Sequence, residues 1–200
     1  LMVHIKKERK LAGWILSQLE NYKELLFKWN KTHNLVSKSQ AQNLDEHIED
    51  SLSVSNFLGP EILDLGSGVG FPGIPLAIKN PAKKLHLVES NAKKAAFLLN
   101  TTNQLELKNI KVYNKRIEDL RPEEFPAALE IITRAFGSAT QIIKSSEHFL
   151  SCPGSSLKLM KTSQQYKEEQ LPSGYEETKL EKILLKGKDK GRILVTIEST

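Results

Sequence analysis

One glycine-rich stretch, Glu61 to Pro75, limits the possible folds of this chain more than any other part of its sequence. It reads EILDLGSGVGFPGIP, and its apolar start around Asp64 predicts a short buried strand. Four glycines then follow within eight residues, which predicts a loop. Glycine lets the backbone turn sharply and lets a ligand approach the main chain closely. The stretch therefore predicts a strand, a loop and a helix arranged around a nucleotide-like ligand.

The rest of the chain alternates between helix and strand patterns. We predict helices over residues 5–30, 44–57, 91–106 and 138–149 and from Pro72–Gly73 onward, and strands over 61–65, 84–89, 109–114, 129–134, 155–161, 178–186 and 192–198. Residues 34–42 are predicted as a loop, and Gly187 to Gly191 as the turn of a final hairpin. Strands separated by helices predict a mostly parallel sheet with right-handed crossovers, to which the hairpin adds an antiparallel edge.

This pattern predicts an α/β fold in one domain over residues 1–200. Residues 1–58 would form an N-terminal helical extension and residues 59–200 a cofactor-binding core. The first helix carries an apolar stripe that is predicted to face the core: Leu11, Trp14, Ile15, Leu19, Tyr22, Leu25, Leu26 and Trp29.

Composition excludes several classes of protein. Apolar content of 39% and charged content of 26% are typical of a globular chain, and no apolar run approaches the roughly 18 residues of a membrane span. No apolar signal segment follows the basic N-terminus. The single cysteine, Cys152, excludes an intrachain disulfide and a cysteine metal cluster, and it fits the reducing cytoplasm. A net charge of +5 is compatible with a nucleic-acid partner without requiring one.

Two cofactor classes use a glycine loop of this kind. Gly68–Gly73 satisfies the G-x-G-x-x-G pattern of dinucleotide-binding proteins, which alone is a weak signal. Asp64–Gly70 satisfies the D-x-G-x-G-x-G pattern of methyltransferases that use S-adenosylmethionine (SAM). The second fits better, because a carboxylate at Asp64 can meet the amino group of the methionine part, directly or through water, but would repel a pyrophosphate.

A second acid, Glu89, ends the second predicted strand. An acid at this position can accept hydrogen bonds from both ribose hydroxyls, so Glu89 indicates an adenosine nucleoside in NAD and SAM alike. The cofactor-binding residues predicted from the pattern are therefore Asp64, Gly66, Gly68, Gly70 and Glu89.

The sequence lacks the motifs of several other classes of enzyme. The (D/N)-P-P-(Y/F/W) box of enzymes that methylate exocyclic amines is replaced by Thr133–Phe136, and Cys152 lies in an ordinary turn rather than an activating setting. His47 and Asp50 share a helix face but have no third ligand nearby, so no metal is expected. A nicotinamide-dependent reductase would need a Tyr-x-x-x-Lys pair, and the only such pair, Tyr175 with Lys179, occurs in a C-terminal region whose pattern is that of strand. A SAM enzyme for a small molecule and a non-catalytic SAM- or RNA-binding module remain as alternatives.

The motifs taken together resemble the RsmG family, also called GidB, of bacterial 16S rRNA guanine-N7 methyltransferases. The resemblance covers nearly the whole chain and depends on Asn34–Ser37, His47–Ser51, Asp64–Pro75, Glu89–Ser90, Lys93–Lys94, Arg116–Glu118 and Arg134–Phe136. It implies a class I SAM-dependent methyltransferase (Rossmann-like) sheet of seven strands, SAM as methyl donor, and a guanine in the 530 loop of 16S rRNA as target. It also implies that Gly66, Phe71, Ile117, Glu118 and Arg134 lie in the SAM pocket. We expect a cytoplasmic monomer that acts on the small ribosomal subunit, with neither a membrane nor a metal involved.

Guanine N7 already carries an in-plane lone pair, so its methylation needs no general base. The protein must flip the base and align N7 with the methyl group. We predict that Arg134 or Lys161 donates to guanine O6 and that Asp50 or another acid binds N1 and N2. Lys161 matches a lysine of the family, although the glycine that follows this lysine in the family is Thr162 here. The cations predicted to contact RNA phosphates are Lys6, Lys7, Arg9, Lys10, Lys38, Lys93, Lys94 and Arg116.

Overall fold

A computed structural model of the chain describes residues 2–125, 128–134 and 136–200, with the side chains of residues 2–9 and 188 left out. It contains one seven-stranded sheet in the order β3-β2-β1-β4-β5-β7-β6. The strands are β1 Glu61–Leu65, β2 Lys84–Val88, β3 Ile110–Tyr113, β4 Glu130–Arg134, β5 Ser156–Thr162, β6 Tyr175–Leu185 and β7 Lys188–Ser199.

The first five strands run parallel, and β7 and β6 complete one edge as an antiparallel pair. The strand order reverses between β1 and β4, which lie side by side. In open sheets of this kind, ligands bind beyond the carboxyl ends of the strands at the reversal point. The predicted α/β class, with a mostly parallel seven-stranded sheet and an antiparallel final hairpin, is confirmed.

Helices cover both faces of the sheet. They are α1 Met2–His33, α2 Lys38–Gln42, α3 Leu44–Ser53, α4 Gly73–Lys79, α5 Ala92–Gln104, α6 Ala139–Leu150 and α7 Ser163–Lys167, with short 3-10 turns at Ser55–Phe57, Ile117–Asp119 and Pro122–Glu124. None of these helices, within the ranges the structure describes, is long and apolar enough to cross a membrane.

Two short helices, α2 and α7, were not predicted. Both begin with a capping box, in which Ser37 pairs with Gln40 and Thr162 pairs with Gln165 through reciprocal side-chain and backbone hydrogen bonds. Such a box satisfies two unpaired amide donors at a helix start, so it stabilises even a helix of one turn. The prediction of a plain loop over residues 34–42 is therefore wrong for its second half.

The turn of the final hairpin is also shorter than predicted. It consists of Lys186 and Gly187, whose φ angles of 51° and 70° suit a two-residue turn that matches the strand twist. Because this turn is so tight, β7 begins at Lys188, and Gly191 lies within the strand.

The sheet separates two buried apolar clusters. Neighbouring residues such as Ile62 and Leu63 belong to different clusters, as expected for side chains that alternate along a strand. Helix α1 joins the cluster that contains Ile62 and buries Tyr22 and Leu26 there. The predicted apolar stripe of α1 fails at its N-terminal end, where Leu11 is 47% and Trp14 38% exposed. A helix of 32 residues is about 48 Å long, and among its described side chains, from Lys10 onward, the first buried apolar one is Leu19.

Candidate functional site

The glycine loop leaves the carboxyl end of β1 in a conformation that requires glycine. Gly66 has a φ of +69°, in the left-handed region. Its amide and that of Ser67 both donate to the carbonyl of Val88 at 3.0 Å, which joins the loop to the end of β2. A Cβ on Gly66 would come within 2.2 Å of the Phe136 ring. Gly66 is therefore needed both for the turn and for the approach of this ring.

Asp64 lies beneath the loop and is fully buried. Its Oδ2 accepts the amide hydrogen of Gly73 at 3.0 Å, which fixes the first turn of α4. Burial raises the pKa of Asp64 to about 7, and the Gly73 hydrogen bond opposes that rise. Among the described residues no group donates to its Oδ1. An unpartnered buried carboxylate oxygen at this place fits a ligand that brings a donor, directly or through water.

Glu89 ties the loop to the start of α5. Its Oε2 accepts the amide hydrogen of Gly68 at 2.8 Å, and its Oε1 accepts that of Asn91, the N-cap of α5, at 2.7 Å. The carboxylate is thus held in one orientation at the end of β2. An ionised carboxylate has room for about four hydrogen bonds, so Glu89 keeps acceptor capacity for hydroxyl groups.

Two clefts meet at Gly66. The first, of about 90 Å³, is lined by Glu89, Ile117 and Glu118 together with Ser90, Arg116 and Phe136. The second, of about 170 Å³, is lined by Gly68, Phe71 and Arg134 together with Leu44, His47 and Lys94. Most of the predicted cofactor residues are therefore brought together, whereas neither Asp64 nor Gly70 is among the described residues that line the two clefts. Asp64 lies beneath the loop, and Gly70 packs against Ile74 and Leu98 within it. The Phe136 ring, 44% exposed, covers Gly66 between the two clefts.

A larger cavity, of about 560 Å³, opens beside the second cleft. Its volume lies within the roughly 300–1,000 Å³ of small-ligand pockets. It shares Gln40, His47 and Arg134 with the second cleft, so these three side chains form a common wall. The remaining lining residues are Gly137, Ser138, Met160, Lys161, Gln165, Glu168, Glu169 and Arg192.

Arg134 is the best-connected side chain of this common wall. Its Nη1 donates to Asp50 Oδ2 at 3.2 Å and approaches His47 Nδ1 at 3.4 Å, and its guanidinium carbon lies 5.0 Å from the centre of the Phe71 ring. Burial, and next the charge of Arg134, lower the pKa of His47. A neutral imidazole can accept the guanidinium hydrogen at Nδ1.

Asp50 connects three separate elements. Its buried carboxylate on α3 faces Arg134 at the end of β4 and Arg192 on β7, whose Nε lies 3.4 Å from Oδ1. Asp50 does not appear among the described residues that line the larger cavity. This placement favours a role in positioning Arg134, and the predicted contact between Asp50 and a guanine remains untested.

Lys161 lies at the end of β5 and lines the larger cavity. Its Nζ donates to the carbonyl of Gly137 at 3.1 Å and also to Glu169 Oε1. Glu169 Oε2 accepts the amide hydrogen of Ala139 at the start of α6, at 2.7 Å. Glu169 was not predicted, and no local pattern marks it, because its partners come from two distant elements.

Two of the predicted RNA-contacting cations line the clefts of the site. Lys94 lines the second cleft and Arg116 the first, while Lys10, Lys38 and Lys93 are exposed. The side chains of Lys6, Lys7 and Arg9 lie outside the described part of the structure. In the part that is described, no group of three or more His, Cys, Asp or Glu side chains is placed to hold a metal ion.

Comparison with solved structures supports the fold. A SAM-dependent methyltransferase from Aquifex aeolicus aligns with a TM-score of 0.54 at 15% identity, over 81% of this chain and 98% of that protein. At this identity the likeness concerns the fold alone. It agrees with the class I methyltransferase architecture predicted from the sequence.

Comparison with sequences identifies the family. Two relatives named ribosomal RNA small subunit methyltransferase G match: the Nitrosomonas europaea protein is 42% identical over 68% of this chain and 64% of its own length, and the Hydrogenovibrio crunogenus protein is 36% identical over 91% and 84%. The family model described as "rRNA small subunit methyltransferase G" (GidB) matches residues 15–192. The chain belongs to the rRNA small subunit methyltransferase G (GidB) family.

Proposed function

We propose that this protein transfers a methyl group from SAM to N7 of a guanine in the 530 loop of 16S rRNA. The proposal depends chiefly on one observation: the cleft at the glycine loop and the larger cavity share His47 and Arg134 as a common wall. Because both spaces border these side chains, a cofactor in the cleft and a flipped base in the cavity would meet along the edge of the wall, where N7 could contact the methyl group directly. The family and the names of its relatives support ribosomal RNA as the substrate.

S-adenosylmethionine is the cofactor, and the residues at the glycine loop fit it. Glu89, Ile117 and Glu118 surround the first cleft, which suits the nucleoside part, and Gly68 and Phe71 line the second, which suits the amino-acid part. The unpartnered Oδ1 of Asp64 is an acceptor for the amino group, through water or after a small movement of the loop. When bound, the cofactor supplies an electrophilic methyl group on a sulfonium.

The side chains near the reaction centre bind and orient rather than move protons. N7 needs no deprotonation, so a neutral His47 and a permanently charged Arg134 suit the common wall. The ion pair between Asp50 and Arg134, with Phe71 beneath the guanidinium, restricts Arg134 to one orientation. Holding reactants in a reactive geometry lowers the barrier by itself.

The RNA would be held mainly through its phosphates. Lys94 and Arg116 border the clefts, and Lys10, Lys38 and Lys93 are exposed. Because phosphate contacts displace counterions, binding would weaken steeply with salt. We place the reaction in the cytoplasm, where small ribosomal subunits are found, and propose that the protein acts as a monomer.

The test is to incubate the protein with radiolabelled SAM and small subunits that lack the modification. We expect label in 16S rRNA, and strand scission by borohydride and aniline at one guanine of the 530 loop. Label confined to small molecules, or label in RNA without N7-methylguanine, would contradict the proposal. Naked 16S rRNA run in parallel identifies the form of the substrate.

A further inference from the structure

We propose that Glu169 and Lys161 together recognise the Watson–Crick edge of the target guanine. In this arrangement Lys161 donates to O6, and the Glu169 carboxylate accepts from N1–H and from the N2 amino group. The inference deepens the proposed function and rests on it. It assigns base recognition to Glu169 rather than to Asp50.

The unused hydrogen-bonding capacity of the pair supports this assignment. Lys161 has three ammonium hydrogens, and Gly137 and Glu169 take two of them. The Glu169 carboxylate can accept about four hydrogen bonds, and Lys161 and Ala139 supply two. One donor and two acceptor positions remain on two side chains that both line the cavity, and this set is the complement of O6, N1–H and N2–H of guanine.

Both groups are held firmly before any substrate binds. The side chain of Lys161 is 13% exposed and that of Glu169 is 10% exposed. The segment that carries Glu169 is anchored to α6, because the Thr140 hydroxyl donates to the carbonyl of Gln170 at 2.6 Å. The amide of Glu169 also donates to the carbonyl of Tyr166 at 3.0 Å. A recognition group fixed by its neighbours loses little freedom on binding.

Other acids near the cavity are less suitable. Asp50 is buried behind the wall, with one oxygen facing Arg134 and the other Arg192. Glu168 lines the cavity but is exposed, so its carboxylate is free to remain in water. Glu169 is therefore the acid whose free acceptor positions and restricted orientation both suit the guanine edge.

The pair would reject adenine at two positions. The N6 amino group of adenine would face the ammonium of Lys161, which places donor against donor. Its N1 lone pair would face the carboxylate of Glu169, which places acceptor against acceptor. Sites built from charged hydrogen-bonding groups reject such mismatches strongly, because their own groups lose their partners.

The test compares guanosine with inosine, which lacks the N2 amino group, at the target position. Small subunits are reconstituted from ligated 16S rRNA that carries either nucleoside, and single-turnover methylation is measured at saturating SAM. For the wild-type protein we expect inosine to react about 10- to 100-fold more slowly, the range for one charge-assisted hydrogen bond. Equal rates on the two substrates would overturn the inference even if no variant could be made.

Two variants complete the design. In Glu169→Gln the amide oxygen can keep the Ala139 hydrogen bond, which places the amino group on the side of Lys161 and the base, where it can accept from neither. Replacing guanosine by inosine should then slow this variant less than about threefold. Glu168→Gln is the matched control, and inosine should slow its methylation rate by the same factor as in the wild-type protein. If inosine slows folded Glu169→Gln as much as it slows the wild-type protein, the role of Glu169 is refuted, while the methyl transfer stays established. Failure of the wild type to methylate guanosine would instead contradict the proposed function itself.

Discussion

Replacing Gly73 by alanine should disturb the glycine loop from beneath. A Cβ built at this position lies 2.3 Å from Leu87 Cδ2 and 2.6 Å from Asp64 Oδ2. Carbon contacts are most favourable near 3.5–4.0 Å, and both neighbours are fully buried, so neither can move into solvent. Such overpacking costs about 1–3 kcal/mol. The preference of alanine over glycine applies to helix interiors and returns little at Gly73, the first residue of α4.

We therefore expect Gly73→Ala to lower the free energy of unfolding by about 1–3 kcal/mol, or Tm by roughly 2–12 °C for a chain of this size. Urea unfolding followed by circular dichroism measures the first, and a SAM titration should show weaker binding because the Asp64 carboxylate is displaced. Gly13→Ala is the control, since nothing lies within 4 Å of its Cβ; there we expect a gain of about 0.5–1 kcal/mol. Wild-type stability in Gly73→Ala would show that the loop relaxes freely and would refute the argument.

Three further predictions concern charge. Arg134→Ala should weaken SAM binding and also reduce the methylation rate at saturating SAM by at least about tenfold. The reason is that Arg134 borders both the cofactor cleft and the larger cavity. A normal rate at saturating SAM would restrict the role of Arg134 to cofactor binding. Replacing Lys93 and Lys94 by glutamine should reduce the salt dependence of RNA binding by about 0.7–0.9 in log–log slope per lost phosphate contact, whereas Lys144→Gln on α6 should leave the slope unchanged. The pKa of Asp64 is raised from 3.8 to about 7, so the folded state keeps a proton that the unfolded state has lost, and stability from this group falls as pH rises through 7. In urea unfolding, the free energy of unfolding of Asp64→Asn should therefore rise relative to that of the wild type as the pH is raised from 5 to 8. A difference between the two proteins that does not change with pH would contradict the raised pKa.

Much of the fold could be predicted because its determinants are local in sequence. The strand that carries Asp64, the glycines that follow it and the acid at Glu89 all act within a few residues of their own positions, and the structure places each at the carboxyl edge of the sheet. Alternation of strand and helix was enough to predict a mostly parallel sheet with a final antiparallel hairpin, although not the order of its strands.

The remaining features of the site depend on contacts between distant segments. The pairing of Lys161 with Glu169 requires a one-turn helix between them, and that helix exists because of a capping box at Thr162. The approach of Phe136 to Gly66 depends on how β4 lies beside β1. No periodicity in the sequence encodes either contact. Residue types therefore indicated which side chains belong to the candidate site, but not which side chains they contact.

The contacts of Asp50 also bear on how the protein is made. Its buried carboxylate on α3 faces Arg134 in the middle of the chain and Arg192 near its end. Until β7 has left the ribosome, a nascent chain lacks Arg192, and the Asp50 carboxylate faces only one of its two cations. A buried charge without enough partners is costly. Ordering of the common wall must then wait until β7 has been synthesised and has paired with β5. A chain that stops before Arg192 would bury much of the sheet and yet hold Arg134 loosely.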